Sequence, residues 1–255
     1  MQTPQEKFLN GQLLLIDKPI GWTSFDVVRK IHYQLKNQLQ LKKIKVGHAG
    51  TLDPLATGLL IVCTGKFTKK IDEIQAQKKE YTGIITLGAT TPSFDLEKDF
   101  DAFYETEHIS DEMIKEAATT FIGTQEQTAP IHSAKKIDGK RAYELARAGE
   151  EVVIKKNSVV IDAFEITQIE RSKLVLPIEK LIADDEPKIN QEKPYDNGIH
   201  VHFRVVCSKG TYIRSIARDL GLKLNSGGHL AALTRTKIGA FSIENAKKIT
   251  SLSVI

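Results

Sequence analysis

The chain is organised around Gly47-His48-Ala49-Gly50-Thr51-Leu52-Asp53-Pro54-Leu55-Ala56-Thr57-Gly58, which holds three glycines, one proline and a single carboxylate. Glycines permit backbone angles that other residues avoid, so we expect an irregular loop rather than an interrupted helix. Pro54 favours an extended conformation at Asp53 and thereby fixes how the carboxylate is presented. The run Leu59–Cys63 that follows is apolar and β-branched, which predicts a buried strand.

Two interpretations of Asp53 follow from this stretch. An isolated Asp-Pro pair is typical of a turn whose aspartate caps local backbone amides. Here twelve unusual residues occur together and end against an apolar run. We therefore interpret Asp53 as a candidate catalytic carboxylate on a loop of fixed shape.

The composition permits a nucleic-acid partner without requiring one. A length of 255 residues allows one large domain or two small ones, and the formal net charge is only +4. The basic residues are clustered, however, in three groups: Lys42, Lys43 and Lys45; Lys66, Lys69, Lys70, Lys78 and Lys79; and Lys135, Lys136, Lys140, Arg141 and Arg147. Any one group is typical of a solvated face, but the three together favour a phosphate-rich ligand.

The cysteines and the N-terminus bear on the cellular compartment. Cys63 and Cys207 lie in apolar runs far apart in sequence, so we expect two buried free thiols, as in a reducing cytoplasm. The segment Met1–Lys7 has no apolar signal core, and no apolar run approaches the length of a membrane span. We expect a cytoplasmic protein without membrane contact.

Hydrophobic periodicity predicts alternating helices and strands. The predicted strands are Leu13–Ile16, Tyr81–Gly88, Val152–Ile161, Phe164–Leu176, Ile199–Val205 and Gly227–Lys237. The predicted helices are Ser24–Leu39 with Ser24 as its cap, Phe67–Ala76, a helix capped by Ser110, a helix from Ile213 closed by Gly221, and Glu244–Ile249. The basic segment 125–149 is either a solvated loop or a lobe that grips a polyanion, and the segment 184–198 is predicted to be an exposed insertion.

Two further features suggest sites. His200 and His202 share one face of a predicted strand, but no third metal ligand stands at a suitable spacing, so two outward polar side chains are the simpler interpretation. Arg214 lies in the first turn of a predicted helix, where the helix dipole disfavours cations. It is either a surface arginine that tolerates its position or the partner of a carboxylate.

The stretch 47–58 closely resembles the signature of the bacterial tRNA pseudouridine-55 synthases, the TruB-type family. Further matching stretches occur in the same order: Asp17-Lys18-Pro19 with Gly21-Trp22-Thr23-Ser24, Lys79-Glu80-Tyr81, the Ser133–Arg147 segment, and Gly210-Thr211-Tyr212-Ile213-Arg214-Ser215. A twelve-residue motif with four ordered companions is far more specific than a short glycine pattern. The match spans about 13–242, with His132 and Ala49 departing from the residues usual in the family.

The resemblance implies a fold and a role for each matching residue. The fold would be the α+β pseudouridine-synthase fold, with a mixed, largely antiparallel sheet, a central catalytic cleft and flanking helices. Asp53 would be the catalytic aspartate, Tyr81 would stack on the target uracil, and Arg214 would pair with Asp53. The substrate would be bound by His48, Lys18, Tyr212 and Leu233.

The resemblance also implies an activity, which is isomerisation of uridine 55 in the tRNA T loop to pseudouridine. We expect no cofactor and no metal, a monomer without an obligate protein partner, and one catalytic domain over 1–255. The segment 125–149 would be an RNA-gripping insertion, and no C-terminal PUA domain is expected. The rival hypothesis is an RNA-binding module or tRNA-folding chaperone without catalysis, which would have no reason to carry both Asp53 and Arg214.

Overall fold

The computed structural model describes residues 2–130, 156–171 and 198–249, together with the backbone of 136–137 and 140–141. The chain divides into two compact units. The first consists of Met1–Tyr81 and Leu233–Ile255, and the second of Thr82–Ala232. The predicted single domain over 1–255 stays a prediction.

The helices, in chain order, are α1 (Pro4–Asn10), α2 (Ser24–Gln38), α3 (Ile71–Ala76), α4 (Asp111–Thr119) and α5 (Ile213–Lys223), with 3₁₀ turns at Gly65–Lys70 and Ile243–Asn245. The longer strands are β1 (Leu13–Lys18), β3 (Ala56–Thr64), β4 (Lys79–Leu87), β7 (Gly123–Gln127), β10 (Asn157–Glu170), β11 (Ile199–Cys207) and β12 (Gly228–Ile238). The short strands are β2 (Val46–His48), β5 (Ala89–Thr90), β6 (Ala102–Phe103), β8 (Lys136–Ile137), β9 (Lys140–Arg141), β13 (Phe241–Ser242) and β14 (Lys247–Lys248).

Strand β3 is the centre of the first unit. It pairs antiparallel with β1 and β2 and parallel with β12, in a register that sets Leu233 opposite Ala56 and Arg235 opposite Gly58. Its side chains alternate between two apolar clusters. Leu60 and Val62 pack with helix α2, while neighbouring side chains on the other face pack with Ile74 and Ile238. A strand covered on both faces must be apolar throughout, as the sequence predicted.

Strand β10 is the longest strand of the second unit. It pairs antiparallel with β11 and with β7. The two strands predicted over 152–161 and 164–176 merge into one across their described residues, because a register shift between Ile161 and Ala163 accommodates the interruption without ending the strand. The predicted fold class is confirmed: helices accompany a mixed sheet in which most described strand pairs are antiparallel.

Several predicted boundaries were wrong. Thr23, not Ser24, caps helix α2, because Asp26 stands three residues after Thr23 and completes a capping box with it. The predicted helix 244–249 is a 3₁₀ turn followed by β14, which pairs parallel with β1. Residues 125–127 belong to β7 rather than to an excursion, and most of segments 125–149 and 184–198 lies outside the described residues.

Gly221 does not close helix α5, which continues to Lys223. A Cβ at Gly221 would lie 2.4 Å from the backbone nitrogen of Gly228, so the glycine is required by close packing rather than by a helix end. In the described ranges, the structure contains no helix with the length and apolar character needed to cross a membrane.

Candidate active site

The Asp53 loop, which comprises residues 49–55 between β2 and β3, is held at both ends by these two strands. The Ala49 N–H donates to the Ile61 carbonyl at 2.9 Å, and the Ala56 N–H donates to the Asp53 carbonyl at 3.1 Å. Gly50 and Gly58 adopt φ angles of +104° and +100°, where other L-residues are strained. The glycine requirement predicted from sequence is therefore confirmed at two of the three positions.

The peptide groups of Leu52 are fixed by a buried hydroxyl. Ser24 Oγ accepts from the Leu52 N–H at 2.8 Å and donates to the Leu52 carbonyl at 3.0 Å. Ser24 and Leu52 are both buried. The first residue of helix α2 therefore holds both backbone polar groups of the residue immediately before Asp53.

Lys18 is a second anchor of the loop. Its ammonium group donates to the carbonyls of Pro19 at 2.9 Å, Trp22 at 2.6 Å and Pro54 at 3.3 Å, and the residue is fully buried. Burial lowers the pKa of Lys18 to about 7, and the nearby Asp53 carboxylate opposes that shift. These contacts tie the residue after Asp53 to the end of β1. Contact of Lys18 with the substrate stays a prediction.

A third anchor, Arg235 of β12, was not singled out from the sequence. Its guanidinium donates to the carbonyls of Gly50 at 3.0 Å, Thr51 at 3.3 Å and Leu59 at 2.8 Å. The residue is 1% exposed. Strand periodicity marked position 235 as basic, but nothing local showed that the side chain is buried.

Asp53 itself is half-buried. His48 ends β2, and burial lowers the pKa of its imidazole, an effect that the charge of Arg235 reinforces. In the parallel pairing of β12 with β3, Leu233 lies opposite Ala56, which is the third residue after Asp53. Tyr81 lies in β4 and is 8% exposed. The first unit thus contains Asp53, Lys18, His48, Leu233 and Tyr81.

The second unit contains the other two candidate residues. Arg214 lies in the first turn of α5, as predicted, and is buried. Its Nη1 donates to the Ser93 carbonyl at 3.1 Å, and its Nε lies 3.5 Å from Asp95 Oδ2. Asp95 is therefore a carboxylate partner of Arg214.

Tyr212, the N-cap residue of α5, is fixed through its backbone. Its N–H donates to Gln127 Oε1 at 2.8 Å, and Gln127 Nε2 donates to the Tyr212 carbonyl at 3.0 Å. One side-chain amide of β7 therefore bonds both backbone polar groups of the N-cap residue. The start of α5, and with it Arg214, is fixed relative to β7.

The prediction that His200 and His202 both point outward was wrong for His200. His200 is 1% exposed, and its Nδ1 lies 3.0 Å from the Thr86 hydroxyl, whereas His202 Nε2 lies 3.5 Å from Glu170. Across the ranges that the structure describes, no group of three or more His, Cys, Asp and Glu is arranged to hold a metal ion.

Most lysines of the first two groups are exposed to solvent. The exposed members are Lys42, Lys43, Lys45, Lys66, Lys69, Lys70 and Lys78. Lys79 is an exception, since it is 6% exposed and donates to the carbonyls of Gln75 and Gln77. The group at 135–147 falls outside the residues whose side chains are described.

Comparison with known proteins identifies the family. The sequence model described as TruB family pseudouridylate synthase (N terminal domain) matches residues 36–182. The chain is 52% identical over 237 residues to the tRNA pseudouridine synthase B of Parabacteroides distasonis, covering 93% of this chain and 89% of that protein. It is also 52% identical over 249 residues to the protein of the same name from Flavobacterium johnsoniae, covering 97% and 96% of the two chains.

Solved structures agree with the fold. A chain from a Cbf5-Nop10-Gar1 complex superposes with a TM-score of 0.62 at 25% identity over 98% of this chain. A chain from an H/ACA RNP bound to a substrate RNA containing 2'-deoxyuridine gives a TM-score of 0.61 at 24% identity. This chain spans 56% of the length of each of these solved chains. The matches in sequence and in fold, together with the anchored Asp53 loop, show that the chain belongs to the TruB family of pseudouridylate synthases.

Proposed function

We propose that this tRNA pseudouridine synthase isomerises uridine 55 of the tRNA T loop, with Asp53 as the catalytic nucleophile. The observation that carries the proposal is the construction of the Asp53 loop. The backbone on both sides of Asp53 is held by hydrogen bonds from Ser24, Lys18 and Arg235, while Asp53 itself is only half-buried. A carboxylate that is immobile and accessible meets the requirement for attack on a bound substrate.

The chemistry assigns a task to the carboxylate. The Asp53 carboxylate attacks C1′ of the ribose while the N1–C1′ bond breaks and uracil leaves with the electron pair. The detached base turns so that C5 faces C1′, and C5 then displaces the carboxylate. Loss of the C5 proton and protonation of N1 complete an isomerisation in which no atom is gained or lost overall.

Such a reaction requires the target base to leave its stack. We propose that Tyr81 provides the surface on which the extruded uracil stacks and takes part in proton transfer. His48, Tyr212, Leu233 and Lys18 are proposed to border the base. Because burial and the neighbouring Arg235 lower the pKa of His48, its imidazole is neutral at physiological pH and acts through shape and hydrogen bonding rather than charge.

We further propose that Arg214 pairs with Asp53, as the family resemblance implies. The support from the second unit is that Arg214 is a buried guanidinium at a helix N-terminus, held by the Ser93 carbonyl and the Asp95 carboxylate. An arginine in that position is stabilised by carboxylates rather than by the helix dipole. Asp95 would then orient the guanidinium so that it holds one oxygen of Asp53.

The RNA itself is proposed to be gripped by the exposed lysines around the Asp53 loop. Lysine contacts to phosphates release counterions, so tRNA affinity should fall steeply as salt rises. A flat salt response would count against an RNA substrate.

The direct test incubates the protein with an unmodified tRNA transcript and maps pseudouridine by a carbodiimide adduct that blocks reverse transcription. We expect one new stop, one nucleotide 3′ of position 55, and none in a transcript that carries cytidine at 55. Tight binding with no modified uridine would favour the chaperone hypothesis. A stop at another position would correct the proposed specificity while leaving the reaction intact.

A further inference from the structure

Arg235 is an unusual residue to bury, because no carboxylate of the described residues hydrogen-bonds its guanidinium. In the part of the chain that the structure describes, its hydrogen-bond partners are the carbonyls of Gly50, Thr51 and Leu59. Its charge is also unfavourable for two neighbours, since it lowers the pKa of both Lys18 and His48. Burying a cation costs free energy unless its surroundings replace the lost hydration, and here three backbone carbonyls accept hydrogen bonds from the guanidinium.

The three acceptors lie at the two ends of the Asp53 loop. Gly50 and Thr51 precede Asp53 by three and two residues, and Leu59 stands in the strand that follows the loop. Nη1 and Nη2 reach the entering segment, while Nε reaches the leaving strand. A planar guanidinium can satisfy these divergent directions at once, whereas a lysine ammonium has no such fork.

The backbone of Arg235 is itself held close to the loop. Arg235 is opposite Gly58 in the parallel pairing of β12 with β3, and Gly58 has a φ of +100°. A Cβ at Gly58 would lie 2.5 Å from the Arg235 carbonyl oxygen and 2.9 Å from its nitrogen. The Thr57 and Thr234 hydroxyls, 2.8 Å apart, join the same two strands one residue earlier. The last glycine of the motif therefore lets Arg235 approach closely enough to reach across the loop.

From this geometry we infer that Arg235 is a positioning residue for pseudouridine formation, which sets the placement of the Asp53 carboxylate by clamping the loop that carries it. The inference rests on the proposed role of Asp53. Arg235 acts through the carbonyls of Gly50 and Thr51 and does not need to touch the RNA. Its loss should therefore slow the chemical step while leaving tRNA affinity unchanged.

The experiment compares Arg235→Lys and Arg235→Met with the wild-type chain, using tRNA transcripts labelled with tritium at C5 of uridine. Tritium release measures kcat at saturating tRNA, and filter binding measures Kd. We expect kcat to fall by about 100-fold in Arg235→Met, since a displacement near 1 Å of a catalytic group costs about that factor. Arg235→Lys should recover part of this loss, and Kd should change by less than about twofold.

The matched control is Arg204→Met, which removes an arginine from the partly exposed Arg204–Glu165 pair on neighbouring strands and should leave kcat unchanged. Asp53→Asn is assayed in parallel. An active wild type and an inactive Asp53→Asn support the proposed function whatever the Arg235 variants do. Wild-type kcat in Arg235→Met, or a loss confined to Kd, overturns the positioning role alone.

A second variant covers the case in which the Arg235 variants do not fold. Gly58→Ala keeps the guanidinium but pushes its backbone away from the loop, so it should lower kcat with Kd unchanged. Added guanidinium chloride at low millimolar concentration should also restore part of the activity of a folded Arg235→Ala variant and none of that of Asp53→Asn. Full activity of Gly58→Ala, or no rescue, contradicts the clamp.

Discussion

Replacing Ser24 by alanine should reduce both stability and turnover, for a reason that the geometry of the Asp53 loop makes specific. The substitution removes the hydroxyl that bonds the N–H and the carbonyl of Leu52 at 2.8 Å and 3.0 Å. Both residues are at most 3% exposed, so water does not replace the lost partner. Each of the two stranded backbone groups costs about 1–3 kcal/mol, which predicts a loss of about 2–6 kcal/mol in the free energy of unfolding.

The neighbouring hydroxyl of Thr23 provides the matched control. Thr23→Ala removes the N-cap of α2 and should cost about 1 kcal/mol of stability, but it leaves the Leu52 bonds in place. Urea unfolding measures stability, and tritium release from C5-labelled tRNA measures kcat. We expect kcat to fall at least about tenfold in Ser24→Ala and to stay within about twofold in Thr23→Ala, because only the first loosens the loop. Equal kcat values in the two variants would refute the argument that this hydroxyl holds Asp53 in place.

Three further predictions follow from other buried contacts. The pKa of Lys18 is about 7 in the folded chain, below its unfolded value, so the unfolded chain binds more protons than the folded chain above pH 7. The free energy of unfolding should therefore rise by up to about 1.4 kcal/mol per pH unit from pH 7 to 9. Urea unfolding of Lys18→Met should lack that rise, and parallel pH curves for the variant and the wild type would contradict the prediction. Asp95→Asn leaves the buried Arg214 guanidinium without this carboxylate, so we expect the free energy of unfolding to fall by about 3 kcal/mol. The kcat should also fall while the Kd for tRNA stays unchanged, and an unaltered kcat would show that Asp95 does not orient Arg214. Gly221→Ala should gain up to about 1 kcal/mol of stability from helix propensity but lose about 3 kcal/mol through the close backbone contact with Gly228. Its thermal unfolding midpoint should therefore fall. A higher midpoint would show that the two backbones can move apart without cost.

The features that could be predicted from the sequence are those set by neighbouring residues. The apolar run 59–63 is covered on both faces and had to be a buried strand. The glycines at 50 and 58 adopt positive φ values that local sequence alone suggests. Arg214 stands where a helix dipole opposes it, so a carboxylate partner could be expected, although Asp95 could not be named.

The features that escaped prediction depend on distant parts of the chain. Arg235 reaches Gly50 across 185 positions, and no local pattern distinguishes such an arginine from a solvated one on an alternating strand. The strand predicted over Leu13–Ile16 continues to Lys18, whose ammonium group donates to three carbonyls. Gly221 looked like a helix end because its packing partner, Gly228, follows only after the chain has turned.

The local signal at the start of α2 was present but misread. Thr23 and Ser24 are both good caps, and the acidic residue at position 26 matches the spacing required by Thr23. The hydroxyl left over, that of Ser24, is the one used by the Asp53 loop. A surplus polar residue at a buried helix start was therefore the clue to the site.

The central claim is that the Asp53 carboxylate performs the chemistry, and the most direct measurement is the single-turnover rate of Asp53→Asn on a T-loop transcript. Asparagine keeps the size of the side chain but removes the negative charge needed for attack on C1′. For Asp53→Asn we expect wild-type tRNA binding, a wild-type unfolding curve and no pseudouridine at position 55. Pseudouridine formation at a rate within about tenfold of the wild type would contradict it.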